Sequence, residues 1–287
     1  MTRWRAAAGL AVAVLAVSFG APLARLAHAA PLAVAAWRMT IAAAIIVPFA
    51  LLRGGLLPPA GQRRAAALSG VLLGLHFGLW IPSLWLTSVS ASVVLVETAP
   101  LWVLLASPRF LGVPIRTRNL GSFALAIAGV GLIAHGDLQV SARALLGDAL
   151  ALGGAVACAG YLIVGKRLRG QMPLDRYLAV VYGGAALTLV AGVALLRVPA
   201  LPADAPSWLC LLGLAAVPTL TGHTLMNWAL AHLEAYRVNL VMLLEPVLAT
   251  AWAWFFLAEP PPLHVIPGAA LVLGALALEF LPTRRAA

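Results

Sequence analysis

The sequence predicts an all-α integral membrane protein, with ten transmembrane helices arranged as two inverted five-helix repeats. Three observations carry this prediction: composition, the spacing of apolar runs and internal symmetry. Of the 287 residues, 63% are hydrophobic, where soluble domains carry about 45–50%. Only 10% are charged, and the mean hydropathy is +1.00. Nine acids and 19 bases cannot cover the surface of a water-soluble domain of this length, and so apolar a chain is not disordered.

A spanning helix needs about 20 mainly apolar residues, because the hydrocarbon core is about 30 Å thick and a helix rises 1.5 Å per residue. Ten stretches qualify: 6–24, 31–52, 67–86, 91–111, 119–136, 145–165, 177–197, 208–230, 238–257 and 263–282. They use about 200 residues and leave under about 90 for connections and tails, too few for a useful soluble domain. The runs are apolar on all sides, unlike the alternating strands of a β-barrel.

The first stretch needs its own decision. Arg3 and Arg5, an apolar run, and Ala27-His28-Ala29 before Ala30 resemble a secretory signal with its cleavage site. The run from Ala6 to Ala24 is long for a signal core and passes straight into the next apolar segment, so it reads as the first helix. Later elements are joined by short polar connections, punctuated by Gly54-Gly55, Pro58-Pro59 and Pro260-Pro261-Pro262. Cys158 and Cys210 lie inside spans, where a thiol acts as a small hydrophobe. No metal-ligand spacing is present, no disulfide is implied and no cofactor is expected.

The net charge of +10 would suggest a polyanion partner in a soluble protein; here it reads as orientation, and no nucleic acid is expected. With the N-terminus inside, the inner side receives Arg3, Arg5, Arg53, Arg63, Arg64, Arg109, Arg116, Arg118, Lys166, Arg167, Arg169, Arg176, Arg237, Arg284 and Arg285, which is 15 of the 19 bases. The positive-inside rule therefore places both termini in the cytoplasm. The expected location is the plasma membrane, in a bacterium the inner membrane, as a multi-pass protein.

The two halves, 1–140 and 141–287, echo each other at an offset of 146 residues. The run at 67–86 followed by Pro100 matches the run at 208–230 followed by Pro246, and both lead to Gly-rich helices, Gly121 to Gly136 and Gly268 to Leu281. Five helices per half is odd, so the halves sit in opposite orientations, and inverted repeats of this kind place a binding site near the midplane where they meet.

These residues resemble a known family. The stretch Gly74-Leu75-His76-Phe77-Gly78-Leu79-Trp80-Ile81-Pro82-Ser83-Leu84, followed by Thr87-Ser88-Val89-Ser90-Ala91-Ser92, looks like the third and fourth helices of EamA-domain transporters, of the drug/metabolite transporter superfamily. Gly222-His223, Asn227-Trp228-Ala229-Leu230, Leu244-Glu245-Pro246 and Leu257-Ala258-Glu259 are similar in the second half. One departure is visible: the acid that ends the fourth helix of a repeat is present as Glu259 but absent near Val113. The resemblance implies ten helices, inverted repeats and movement of a small-molecule substrate, and it leaves the cargo open.

Ionisable groups at membrane depth cost several kcal/mol unless paired or facing an aqueous cavity, so Glu97 and Glu245 stand out. Glu97 lies about six residues, or 9 Å, from the outer start of its helix, and Glu245 about seven from the inner start of its own. They read as cavity acids that bind a cation or carry protons, or as groups supporting the bends at Pro100 and Pro246. Pro82, Pro100, Pro218 and Pro246 each remove a helix hydrogen bond, which a membrane tolerates only where protein or cavity water satisfies the freed carbonyl. His76, Trp80 and Ser83 share one face of the third helix, and His223 and Asn227 one face of the eighth. The candidate cavity is therefore His76, Trp80, Glu97, His223, Asn227 and Glu245, or else these polar groups bond helix to helix. Arg38 is expected to snorkel to the outer interface, with pairing to Glu97 as the alternative. Trp4, Trp208, Trp252 and Trp254 read as interface-belt residues. Gly153-Gly154 and Gly129 with Gly131 read as close helix packing.

Other classes fit less well. There is no His-Glu-x-x-His, Gly-x-Ser-x-Gly or paired-aspartate motif for an enzyme, and no P-loop for ATP hydrolysis. A non-transporting receptor or scaffold would not need inverted duplication. An exchanger of phosphorylated sugars would place bases in the late helices, whereas the only lysine, Lys166, is expected in a cytoplasmic loop. The sequence therefore points to a secondary transporter, an exporter of amino acids, metabolites or drugs, with protons as a candidate coupling ion.

Overall fold

The computed structural model describes residues 3–87, 89–133, 141–248, 251–252 and 265–280, and all regular structure among them is helical. The first half contains α1 (Arg3–Val17), α2 (Gly20–Leu26), α3 (Pro31–Leu52), α4 (Arg63–Ser83), α5 (Val89–Val96), α6 (Ala99–Leu111) and α7 (Thr117–Ile133). The second contains α8 (Ala142–Arg169), α9 (Leu174–Leu195), α10 (Ala205–Leu214), a π-helical segment (Ala215–His223), α11 (Thr224–Ala229), α12 (Ala235–Met242) and α13 (Val265–Phe280).

Seven apolar helical stretches are long enough to cross a membrane: Trp4–Leu26, Pro31–Leu52, Ala60–Ser83, Ala91–Leu111, Ala142–Arg169, Leu174–Leu195 and Ala205–Ala229. They coincide with seven of the ten expected spans. The fifth and tenth expected spans hold α7 and α13, of 17 and 16 residues. The ninth, 238–257, is described to 248 and at 251–252. Leucines cover the outside as well as the inside: Leu52, Leu187 and Leu195 are 88%, 74% and 82% exposed. Helices apolar all round, with exposed leucine, belong in lipid.

Prolines explain why several spans are broken. Pro22 has no N–H to give the Ser18 carbonyl, and the first span divides there into α1 and α2. Pro100 cannot bond the Val96 carbonyl, and the fourth span breaks at Glu97-Thr98 between α5 and α6. Pro246 stands in the same relation to Met242, and α12 ends there in a turn before helix resumes at Glu245. Pro218 lies within the π-helical segment, and Pro82 within the last turn of α4.

Helix α4 packs against α8 and α9, α3 against α9, α1 against the π segment and α11, α6 against α8 and α12, and α7 against α13. Small residues allow the closest approaches. A Cβ added at Gly154 would stand 3.2 Å from the Trp80 Cβ, and one at Gly129 would stand 2.6 Å from the Gly268 carbonyl oxygen. Gly131, expected to join this packing, has nothing within 4 Å of such a Cβ.

Loop hydrogen bonds sort the helix ends onto two faces. On one, Ala203 N donates to His28 O at 2.9 Å, Trp37 Nε1 to Ala200 O at 2.7 Å, and Arg143 Nη2 to Trp85 O at 3.0 Å. On the other, Gln62 Nε2 donates to Gln171 Oε1 and Arg176 Nη2 to Gly54 O, both at 2.8 Å. Lys166, expected in a loop, is in the last turns of α8, where its Nζ donates to the Leu230 and Leu233 carbonyls at 3.0 and 2.7 Å. A cation there satisfies the carbonyls that the end of α11 leaves without helical partners.

Candidate functional site

A cavity lies among the helices, lined by Val17, Arg38, His76, Trp80, Val96, Glu97, Ala99, Cys158, His223, Met226, Met242 and Glu245. Both halves of the chain contribute to its wall. The carbonyl-bearing residues freed by Pro100 and Pro246, Val96 and Met242, both stand on it. Each helix break therefore opens toward the cavity, where irregular backbone inside a membrane is tolerated.

Arg38 is the largest fully buried side chain, 1% exposed. This corrects the expectation that it snorkels to the interface. Its Nε donates to Thr219 Oγ1 at 2.7 Å, and its guanidinium carbon lies 4.0 Å from the centre of the Phe77 ring. Thr219 Oγ1 donates in turn to the Leu214 carbonyl at 2.8 Å. That carbonyl is the one Pro218 cannot reach from its own nitrogen. The π-helical turn thus places a hydroxyl where the proline removed a donor, and the hydroxyl holds the arginine.

Aromatic rings extend the wall. His76 and Trp80 are stacked with centroids 5.8 Å apart and planes 12° from parallel. Phe77 meets His223 edge-on at 5.2 Å. His76 Nδ1 donates to the Gly154 carbonyl at 3.0 Å, which fixes the proton on Nδ1 because a carbonyl only accepts. Trp80 Nε1 and His223 Nδ1 are buried without a hydrogen-bond partner.

Glu97 and Glu245, one from each half, stand on the same cavity wall, 7% and 4% exposed. Ionised carboxylates only accept, so a hydrogen bond between these two groups would need one proton between them. Neither forms an ion pair with Arg38; among the described residues the only ion pair is His28 with Asp204, at 2.7 Å. The alternative of pairing between Arg38 and Glu97 is therefore not what the structure has.

Of the six residues singled out in the sequence, His76, Trp80, Glu97, His223 and Glu245 line one cavity. Asn227 does not. It is fully buried behind His223, with Nδ2 donating to the His223 carbonyl at 2.7 Å and to the Tyr161 hydroxyl. Ser83 is also off the wall, sharing a 2.6 Å hydrogen bond with Ser92. Trp252, expected at the interface, is half-buried, donates to Ser18 Oγ at 2.8 Å and stacks on Phe19 at 4.9 Å. Glu259 and Trp254 lie outside the described residues. Arg38, Cys158, Met226 and Met242 were not anticipated on the wall. A lone arginine deep in an apolar span is the signal that marked Arg38; the other three are apolar or nearly so and carry none.

Apolar helices broken at mid-span beside a cavity lined from both halves define a polytopic membrane protein. Residues 4–134 and again 145–281 match the EamA-like transporter family, and the chain belongs to that family, within the drug/metabolite transporter superfamily. Members of this family are transporters rather than enzymes. No curated protein matches the sequence. A solved structure, described only as that of a protein, matches at a TM-score of 0.79 with 20% identity over 99% of each chain. At that identity the likeness speaks for the fold alone.

Proposed function

We propose that the protein is a secondary transporter that exports small organic solutes such as amino acids, metabolites or drugs. Two inverted five-helix repeats, 1–140 and 141–287, rock against each other and expose the cavity to one side of the membrane at a time. The carrying observation is the cavity itself, whose wall is drawn from both halves and holds a cation, two acids and two imidazoles away from lipid. Supporting the inverted repeats are the parallel breaks at Pro100 and Pro246 and the exchange of partners in the packing. Helix α4 on α8 is answered by the π segment on α1, while α3 with α9, α6 with α12 and α7 with α13 pair across the halves.

The Glu97–Glu245 pair is the proton carrier in this reading. A shared proton can leave when the cavity opens to one side and return on the other, so each protonation state favours a different access state. Both termini, and the basic face holding Arg53, Arg63 and Arg176, are cytoplasmic by the positive-inside rule.

The test is solute movement by the purified full chain in proteoliposomes, with a panel of amino acids, organic acids and cationic drugs, with and without a proton gradient. Accumulation of at least one solute above protein-free vesicles, raised by the gradient, is expected. Movement of none overturns the reading.

A further inference from the structure

We propose that Arg25 and Lys166 are two latches, one beyond each end of the cavity, whose alternate release opens it to one side of the membrane at a time. The inference rests on the alternating access proposed above and names the contacts that part.

Each latch is the same construction in its own repeat. Arg25 stands in the last turn of α2 and Lys166 in the last turn of α8, each at the end of the first span of its repeat. Arg25 Nη1 donates to the Leu84 carbonyl at 3.1 Å, and Lys166 Nζ to the Leu230 carbonyl at 3.0 Å. Leu84 is the C-terminal cap of α4 and Leu230 that of α11, where helix carbonyls lack intrahelical partners. The two leucines are 146 residues apart, the offset that relates Pro100 to Pro246. Leu84 adjoins Trp85, on the face bearing Arg143, and Lys166 is at the α8 end leading to Gln171, on the opposite face.

Each carbonyl also stands one turn beyond the cavity. Trp80 and Met226 are on its wall, and Leu84 and Leu230 follow them by four residues, about 6 Å along a helix. The latches therefore lie between the cavity and opposite faces of the membrane.

The packing makes these contacts movable. Helices α1 and α2 pack mainly on α10, the π segment, α11 and α12, all of the second half, while α8 packs mainly on α4, α5 and α6 of the first. When the repeats rock, each first span travels with the third span on which it packs, which belongs to the other repeat. It moves against the third span of its own repeat, and those are the two that a latch ties. Opening one face breaks its latch and leaves the other made.

The two latches are unequal. Lys166 Nζ also donates to the Leu233 carbonyl at 2.7 Å, and Arg169 Nε to the Asn227 carbonyl at 3.1 Å. With the Leu230 contact, this end is tied to α11 and its following turn by three charge-assisted bonds. Arg25 has one such bond among the described residues, and its guanidinium carbon lies 5.1 Å from the centre of the Trp85 ring. The balance favours the state in which the Lys166 latch is closed and the cavity opens on the Arg25 face.

Cys158 lines the cavity and serves as the reporter once Cys210 is replaced by serine. The rate at which an impermeant maleimide labels it is measured from each side, in whole cells and in inside-out membrane vesicles. In this parent, labelling from the Arg25 face should be the faster. Lys166→Met keeps the aliphatic stem and loses the donors; it should shift the ratio of the two rates about tenfold or more toward the Lys166 face. Arg25→Met should shift the ratio the opposite way. Lys166→Arg, which keeps a charged donor, should stay near the parent ratio. Lys166→Gln and Arg25→Gln stand in for a methionine variant that does not fold. A ratio unchanged by both substitutions, a shift in the same direction for both, or a parent labelled no faster from the Arg25 face overturns the proposal. The readout is conformation and not transport, so a failed labelling test leaves solute movement in proteoliposomes standing, and the two readings fail separately.

Discussion

Arg38 Nε donates to Thr219 Oγ1 at 2.7 Å, and that hydroxyl passes a hydrogen bond on to the Leu214 carbonyl at 2.8 Å. This relay joins α3 of the first half to the π-helical segment of the second, at the carbonyl that Pro218 itself cannot bond. A cavity residue and a helix irregularity are thus one construction. The π-helical turn supplies the hydroxyl, and the hydroxyl sets the direction of the guanidinium.

Thr219→Val should break the relay while keeping the side-chain shape. Arg38 Nε would be buried without a partner, at a cost of about 1–3 kcal/mol. Thermal melting of the detergent-solubilised protein should show the loss, and Thr219→Ser should restore most of it. A Thr219→Val protein that melts like the wild type would refute the relay.

Glu245→Gln keeps the size of the side chain and most of its hydrogen bonding but cannot carry a proton. Gradient-driven transport in proteoliposomes should collapse in this variant while exchange at equal solute concentration survives. Undiminished gradient-driven transport at normal protein levels would show that Glu245 does not couple.

Outside the membrane, Asp204 caps the start of α10. Its Oδ1 accepts from Ser207 Oγ at 2.5 Å and from Ser207 N at 2.9 Å, and its Oδ2 from His28 Nδ1 at 2.7 Å. These hydrogen bonds, the Ser207 hydroxyl foremost, hold the carboxyl down at about 2. A folded-state value below the unfolded one of about 3.9 adds stability above that pH and loses it as pH falls toward the folded value. The melting temperature of the wild type should therefore drop between about pH 4 and about pH 2 more steeply than that of Asp204→Asn, which cannot titrate. Parallel curves for the two proteins would sink this assignment.

Orientation can be read with single cysteines after Cys158 and Cys210 are replaced. Gly170 is exposed, and a Cβ there meets nothing within 4 Å, so Gly170→Cys should fold normally. Leu201 is exposed on the opposite face. An impermeant thiol reagent added to whole cells should label Leu201→Cys and spare Gly170→Cys. The reverse pattern would place the basic face outside.

The sequence by itself determined the membrane character, the course of most helices and where they break. Apolar content and run length decide whether a segment prefers lipid, and a proline removes a backbone donor wherever it stands, so neither depends on neighbours. What only the tertiary structure decided is which way each side chain points. A helix with a polar stripe announces its inner face, but these helices are apolar all round, and their rotation is set by packing alone. That is why Arg38 turned out to face inward over Phe77 rather than outward to the interface, and why Asn227 stands behind His223 although both share a helical face. The meeting of Glu97 with Glu245 likewise depends on how two broken helices from opposite halves dock, and no local pattern encodes that.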